Sequence, residues 1–158
     1  MKYIKIALGF SFIIYFFALA IILFLGSRGF QFEDLSLLQY IQQSSNLVPF
    51  STISLYIQAI NDGTMNIATP IQNLLGNFIL FMPMGIYLPF FFKKLNKVGS
   101  FMISMVGILI IIEGAQLLTR RGSFDIDDFL LNLVGALVGF AIWKSDKVLK
   151  KLMKMQRK

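Results

Sequence analysis

The chain has 158 residues, 56% of them hydrophobic and only 15% charged, with a net charge of +7. That is too apolar for a soluble domain. It contains no cysteine and no histidine, which excludes disulfides, thiolate chemistry, histidine acid–base catalysis and the usual haem and zinc sites; any metal would have to be a hard ion held by carboxylates and carbonyls.

The apolar residues fall in four blocks. A helix rises about 1.5 Å per residue, so about 20 residues cross a hydrocarbon core. Residues 6–25 (IALGFSFIIYFFALAIILFL) are uncharged and meet that length. Lys2 and Lys5 precede them, as in a signal peptide. The block is too long for one, however, and FLGSRGF at its end offers no convincing small-x-small cleavage site, so it reads as a retained helix. A long loop follows at 28–70. Within it FQFEDLSLLQYIQQ mixes apolar and polar residues without a clean period and allows a short interfacial helix. Pro49 breaks local helix in NLVPFSTISLYIQAIN, and NDGTMN at 61–66 reads as a turn. Span two covers 71–92. Pro83 inside it frees the carbonyl of Ile79, so a kink is expected there. The short basic loop KKLNK leads to span three, 98–119, whose single charge is Glu113. TRRGSFDIDD leads to the fourth block, 129–143, which reaches spanning length if its helix begins near Asp125. The two short loops imply antiparallel neighbours. No internal repeat is visible, which disfavours an inverted-repeat transporter. The expected fold is an all-α integral membrane protein: a four-transmembrane-helix bundle, one domain over 1–158.

Charge orients the bundle. With both termini cytoplasmic, the inside segments hold Lys2, Lys5, Lys93, Lys94, Lys97 and the basic tail 144–158, leaving only Arg28, Arg120 and Arg121 outside. The positive-inside rule therefore gives cytoplasmic termini and a multi-pass cell-membrane protein. The positive charge is a topology signal and not a nucleic-acid signal. The tail reads as a topology anchor, with contact to anionic lipid as the second reading.

Polar residues interrupt the spans. Glu113, Gln116 and Arg120 are spaced i, i+3, i+7 and are expected on one face of span three. Asp125, Asp128, Asn132, Gly135 and Gly139 repeat that pattern on span four. Asn73 and Asn77 form an i, i+4 pair on span two, with Gly76 beside them. Counted from the outer helix ends, Asn77, Glu113 and Asn132 all lie about 9–10 Å deep. The expectation is a polar pocket open to the outer face. Against it stands a plainer reading: the asparagines bond helix to helix, and Glu113 pairs with Arg120 or Arg121. Gly135 and Gly139 form a small-xxx-small pair, read first as close packing within the bundle and second as a homodimer contact.

Enzyme signatures are missing. DIDD lacks the two-motif spacing of diphosphate-metal enzymes, and there is no phosphate-binding glycine loop or G-x-S-x-G turn.

Three ordered segments carry a resemblance. NLVPF at 46–50 resembles an Asn-x-x-Pro-Phe element. NLLGNFILFMPMG at 73–85 resembles Asn-x-x-x-Asn-x-x-x-Phe-x-Pro-x-Gly. The run 113–139 resembles Glu-x-x-Gln, Arg, Asp-x-x-Asp-x-x-x-Asn-x-x-Gly. Together, over about residues 40 to 142, the chain resembles the VanZ-like family of bacterial membrane proteins. That family takes its name from a protein associated with teicoplanin resistance, and many members have no established reaction. The resemblance implies a cell-envelope role. In one reading Asn73, Asn77, Glu113, Gln116, Arg120, Asp125, Asp128 and Asn132 bind a lipid-linked cell-wall precursor or a lipoglycopeptide, with Arg120 and Arg121 meeting phosphate or carboxylate. In the other, the protein is a membrane enzyme with Glu113 as general base and Asp125 or Asp128 positioning a divalent ion or substrate. A small multidrug-type exporter is a weaker third. No cofactor is expected, and membrane lipids are the expected partners.

Overall fold

The computed structural model describes residues 2–26 and 35–145. The basic tail from residue 146 and the start of the long loop therefore lie outside the described residues. In chain order the elements are α1 (Lys2–Phe24), α2 (Leu37–Gln43), β1 (Ser45–Asn46), α3 (Ser51–Asn61), α4 (Ala68–Leu80), α5 (Met84–Phe91), a 3-10 turn (Lys93–Asn96), α6 (Val98–Leu118), β2 (Phe124–Asp125) and α7 (Ile126–Lys144). Four stretches are long and apolar enough to cross a membrane: Lys5–Phe24, Ala68–Phe91, Val98–Leu118 and Ile126–Lys144. Each lies within three residues of a block marked by the sequence. One end of the bundle carries the end of α1, α2, α3 and the α6–α7 turn, and is termed the loop face. The other carries Lys93, Lys94, Lys97 and Lys144, and is termed the basic end.

The second crossing is two helices. Where a kink is expected, α4 stops at Leu80 and α5 starts at Met84. Between them the backbone tightens to i→i+3 bonds, Met82 N–H to the Ile79 carbonyl at 3.2 Å and Met84 N–H to the Phe81 carbonyl at 3.1 Å. Pro83 causes this by removing the donor that Ile79 would otherwise receive. The Leu80 carbonyl, which loses its usual partner at Met84, accepts the Tyr15 hydroxyl of α1 at 2.8 Å. A carbonyl orphaned in hydrocarbon is costly, so the break and Tyr15 belong together.

Glycines set the tightest contact. A Cβ at Gly135 would overlap the Phe78 carbonyl, and one at Gly139 the Met82 carbonyl. One at Gly85 would overlap the α7 backbone from Ala136 to Phe140. The matched four-residue steps, 78 to 82 and 135 to 139, make the second and fourth crossings parallel neighbours. The small-residue stripe is thus used inside the bundle, as the first reading expected. A homodimer through the same face would have to displace α4 and α5. Below this contact the core is apolar and aromatic: Phe81, Phe101, Met105 and Leu109 are fully buried, and Phe101 stacks on Phe140 with centroids 4.6 Å apart. On the α1 side Phe12 and Tyr15 pack against Tyr87. At the basic end Asn96 bonds the Pro89 carbonyl at 2.9 Å and accepts the Trp143 indole N–H at 3.0 Å, tying the 3-10 turn to α5 and α7.

Candidate functional site

The loop face is stitched to the start of α7 by two carboxylates. Asp125, in extended backbone, caps α7: its Oδ1 accepts the Asp127 N–H at 2.8 Å. Its Oδ2 accepts the Thr52 hydroxyl at 2.6 Å and the Asn46 amide at 3.4 Å. Asp127 is fully buried. It accepts backbone N–H groups from Phe50 at 2.6 Å, Thr52 at 2.9 Å and Ile53 at 3.2 Å, the donors left open at the start of α3. A carboxylate receiving three N–H groups at a helix N-terminus is well compensated for burial. Beside them β1 pairs in parallel with β2, Asn46 opposite Asp125, and the Tyr40 hydroxyl of α2 bonds the Gly122 carbonyl at 2.8 Å. The sequence stripe had Asp125 facing a pocket; the structure gives its oxygens to the loop. Asp127 and Thr52 were not anticipated. Their signal was available: an Asx-type cap two residues ahead of another acid, on a segment that must hold a long loop.

The end of α6 departs from the expected stripe. The helix stops at Leu118. Arg120 takes φ 56, and the Arg121 N–H returns to the Gln116 carbonyl at 2.8 Å while the Arg120 N–H reaches Leu117 at 3.2 Å. This is a Schellman closure with arginine where glycine is usual. Arg120 therefore leaves the face it was expected to share with Glu113 and Gln116. Its side chain is exposed, and its guanidinium lies 5.7 Å from the centroid of the Tyr40 ring. Glu113 and Gln116 are both buried. The Gln116 amide donates to the Leu23 carbonyl at the end of α1, 2.9 Å away, so it serves helix–helix bonding.

Asp128 follows Asp127 and is turned about 100° from it around the helix. It faces a cleft of about 570 Å³. One helical face of α4 forms the main wall, Thr69, Gln72, Asn73, Gly76, Asn77 and Leu80, with Ile22 of α1 and Ser123 of the α6–α7 turn around it. Those α4 positions run i, i+3, i+4, i+7, i+8, i+11, so the whole wall was legible as a stripe, although only Asn73, Gly76 and Asn77 were singled out. The Asn77 amide donates to Asn73 at 3.1 Å, and Asn73 donates to the Tyr56 hydroxyl of α3 at 2.8 Å. The cleft is open at the protein surface, since Thr69, Gln72 and Gly76 are exposed. Its lining contains one carboxylate, and no lysine or arginine among the described residues.

Asn132 lies one turn past Asp128 on α7 and is buried. Its Oδ1 has no hydrogen-bond partner among the described residues. The Gly135–Phe78 contact fixes its level: it sits within about 3 Å, along the axis, of Asn77. Asn73, Asn77 and Asp128 thus come together in the cleft, with Asn132 beneath Asp128. Glu113, Gln116, Arg120 and Asp125 do not line it. Among the described residues, no cluster of three or more acidic side chains is grouped as a metal site would need.

Four stretches of membrane-crossing length, the second broken at a proline, together with a polar cleft at one end, are the features of a membrane protein. The VanZ/LLP1 family profile matches residues 12–150, and the chain belongs to that family. It is 26% identical over 113 residues to Protein VanZ of Enterococcus faecium, a match covering 72% of this chain and 60% of that protein. No solved structure matches it.

Proposed function

We propose that the protein sits in the bacterial cell membrane with its termini cytoplasmic and its loop face outside. There its cleft binds the polar part of a lipid-linked or lipophilic envelope molecule without changing it. The observation that carries this is the cleft, a cavity of about 570 Å³ walled by the face of α4 that carries Thr69, Gln72, Asn73 and Asn77, and closed by Asp128. Polar side chains at such depth are costly unless used. The distribution of lysine and arginine supports the orientation.

The lining favours one ligand chemistry. Thr69, Gln72, Asn73, Asn77 and Ser123 are neutral donors and acceptors, and Asp128 is an acceptor. That set suits hydroxyls, amides and an ammonium group. A phosphate would call for arginine or lysine, and the lining holds neither. A hydroxyl or ammonium donor reaching past Asp128 would also satisfy the Asn132 oxygen. Ile22 and Leu80 offer an apolar edge for a lipid chain. An aminated sugar or sugar–peptide head group fits, whether from a cell-wall precursor or from a lipoglycopeptide of the teicoplanin type. Kinship with the VanZ/LLP1 family supports the link to glycopeptides.

One observation favours an enzyme instead: Glu113 is a buried carboxylate within α6, and a general base in that setting would act on an envelope lipid.

Teicoplanin and vancomycin susceptibility in a Gram-positive host tests both readings, with variants at matched membrane abundance. The binding reading expects wild type to protect against teicoplanin, Asp128→Asn and Asn77→Ala to lose protection, and Glu113→Gln to keep it. Loss with Glu113→Gln and retention with Asp128→Asn would replace it by the enzyme reading. No protection by wild type would sink the glycopeptide link.

A further inference from the structure

The segment joining α1 to α4 has an unusual composition for a connection between spans. From residue 35 to residue 61 it carries no charged side chain. It also leaves large apolar side chains uncovered. Leu47, Val48 and Phe50 are 65%, 64% and 63% exposed, and Leu38, Leu55 and Ile57 are exposed as well. A connection bathed in water would carry charge and hide such residues.

The tip at 47–50 is held in shape. Asn46 Oδ1 accepts the Val48 N–H at 3.2 Å. Phe50 takes φ 64, a left-handed conformation that a bulky residue adopts only when its surroundings impose it. The imposing group is Asp127, which holds the N–H groups of Phe50, Thr52 and Ile53. The same bonds set the depth of the tip. Asp127 lies in the first turn of α7, a helix of membrane-crossing length. The Phe50 backbone is therefore one hydrogen bond from a span. The chain turns back at Pro49 beside the first turn of α7, with Leu47, Val48 and Phe50 exposed on that turn.

We propose that Leu47, Val48 and Phe50 form a fixed apolar wedge inserted into the leaflet at the loop face, with lipid acyl chain as its occupant. The wedge anchors the connection beside the start of α7, and Asp127 positions it. This holds whether or not the cleft binds the ligand proposed above.

The chain has no cysteine, so single-cysteine variants need no altered background. Val48→Cys and Asp62→Cys, the latter at an exposed charged turn, are labelled with the environment-sensitive fluorophore NBD. The full-length protein is then placed in phosphatidylcholine–phosphatidylglycerol vesicles. The proposal expects blue-shifted emission at position 48 and at least about twofold stronger quenching there than at position 62 by a nitroxide on the upper acyl chain. Emission and quenching equal at the two sites would place the tip in water and overturn it. A blue shift at position 48 without quenching would place the tip against protein, and would overturn it equally.

Discussion

The two halves of this bundle are made of different materials. Toward the basic end the crossings meet through glycine, phenylalanine and methionine, with a hydroxyl bond between Tyr87 and Ser11 and an amide–indole bond between Asn96 and Trp143. Toward the loop face the buried residues include Asn77, Glu113, Gln116, Asp125, Asp127, Asp128 and Asn132. Dense backbone approach in one half closes the space between α5 and α7. The other half spends some polar groups on holding its own loop and leaves others facing a cavity. Asp127 and Asp128 divide those tasks between adjacent positions, because one helical step turns a side chain from the loop to the cleft.

The sharpest way to break the contrast is Gly135→Leu. Its side chain would have to occupy the place of the Phe78 backbone carbonyl. Overpacking against backbone is expected to cost at least about 3 kcal/mol, seen as loss of folded protein on thermal unfolding in detergent. Next comes Asp127→Ala, which strands three backbone donors. A loss of about 2–4 kcal/mol is expected, with protease cutting within 44–53 as the local readout. If Asp128→Ala destabilised equally, the division of labour between the two acids would be wrong. Tyr15→Phe removes the bond to Leu80 in the proline break. It is expected to lower stability by about 1 kcal/mol. Smallest is Arg120→Gly: it relieves a left-handed arginine but loses the contact with Tyr40. The opposing effects, each about 0.5–1 kcal/mol, should leave the melting temperature nearly unchanged.

Much of the scaffold was legible because hydrophobic length is a direct physical requirement of the bilayer. Block lengths gave the four crossings to within three residues, and Pro83 announced the break between α4 and α5. What escaped was tertiary. The i, i+3, i+7 rule assumes an unbroken helix, and α6 closes at Leu118, so Arg120 falls off the stripe. Asp125 belongs to the cap of α7 and not to its face. Asp127 looked like a third acid in a run, since nothing local says that a backbone loop seventy-odd positions earlier ends on it. The cleft wall was the reverse case: the α4 stripe from Thr69 to Leu80 was complete in the sequence, but its asparagines drew the eye and its threonine, glutamine and leucine did not.

The central claim is that the cleft between α1, α4 and α7 is the binding half of the molecule. Gly76 lines it and has open space where a side chain would go, and Gly99, near the basic end, has equally open space. The direct measurement is native mass spectrometry of wild type, Gly76→Trp and Gly99→Trp purified in mild detergent from Gram-positive membranes. The account predicts a retained envelope-lipid adduct in wild type and Gly99→Trp, and none in Gly76→Trp at an unchanged melting temperature. The same adducts in all three proteins, or none in wild type, would contradict it.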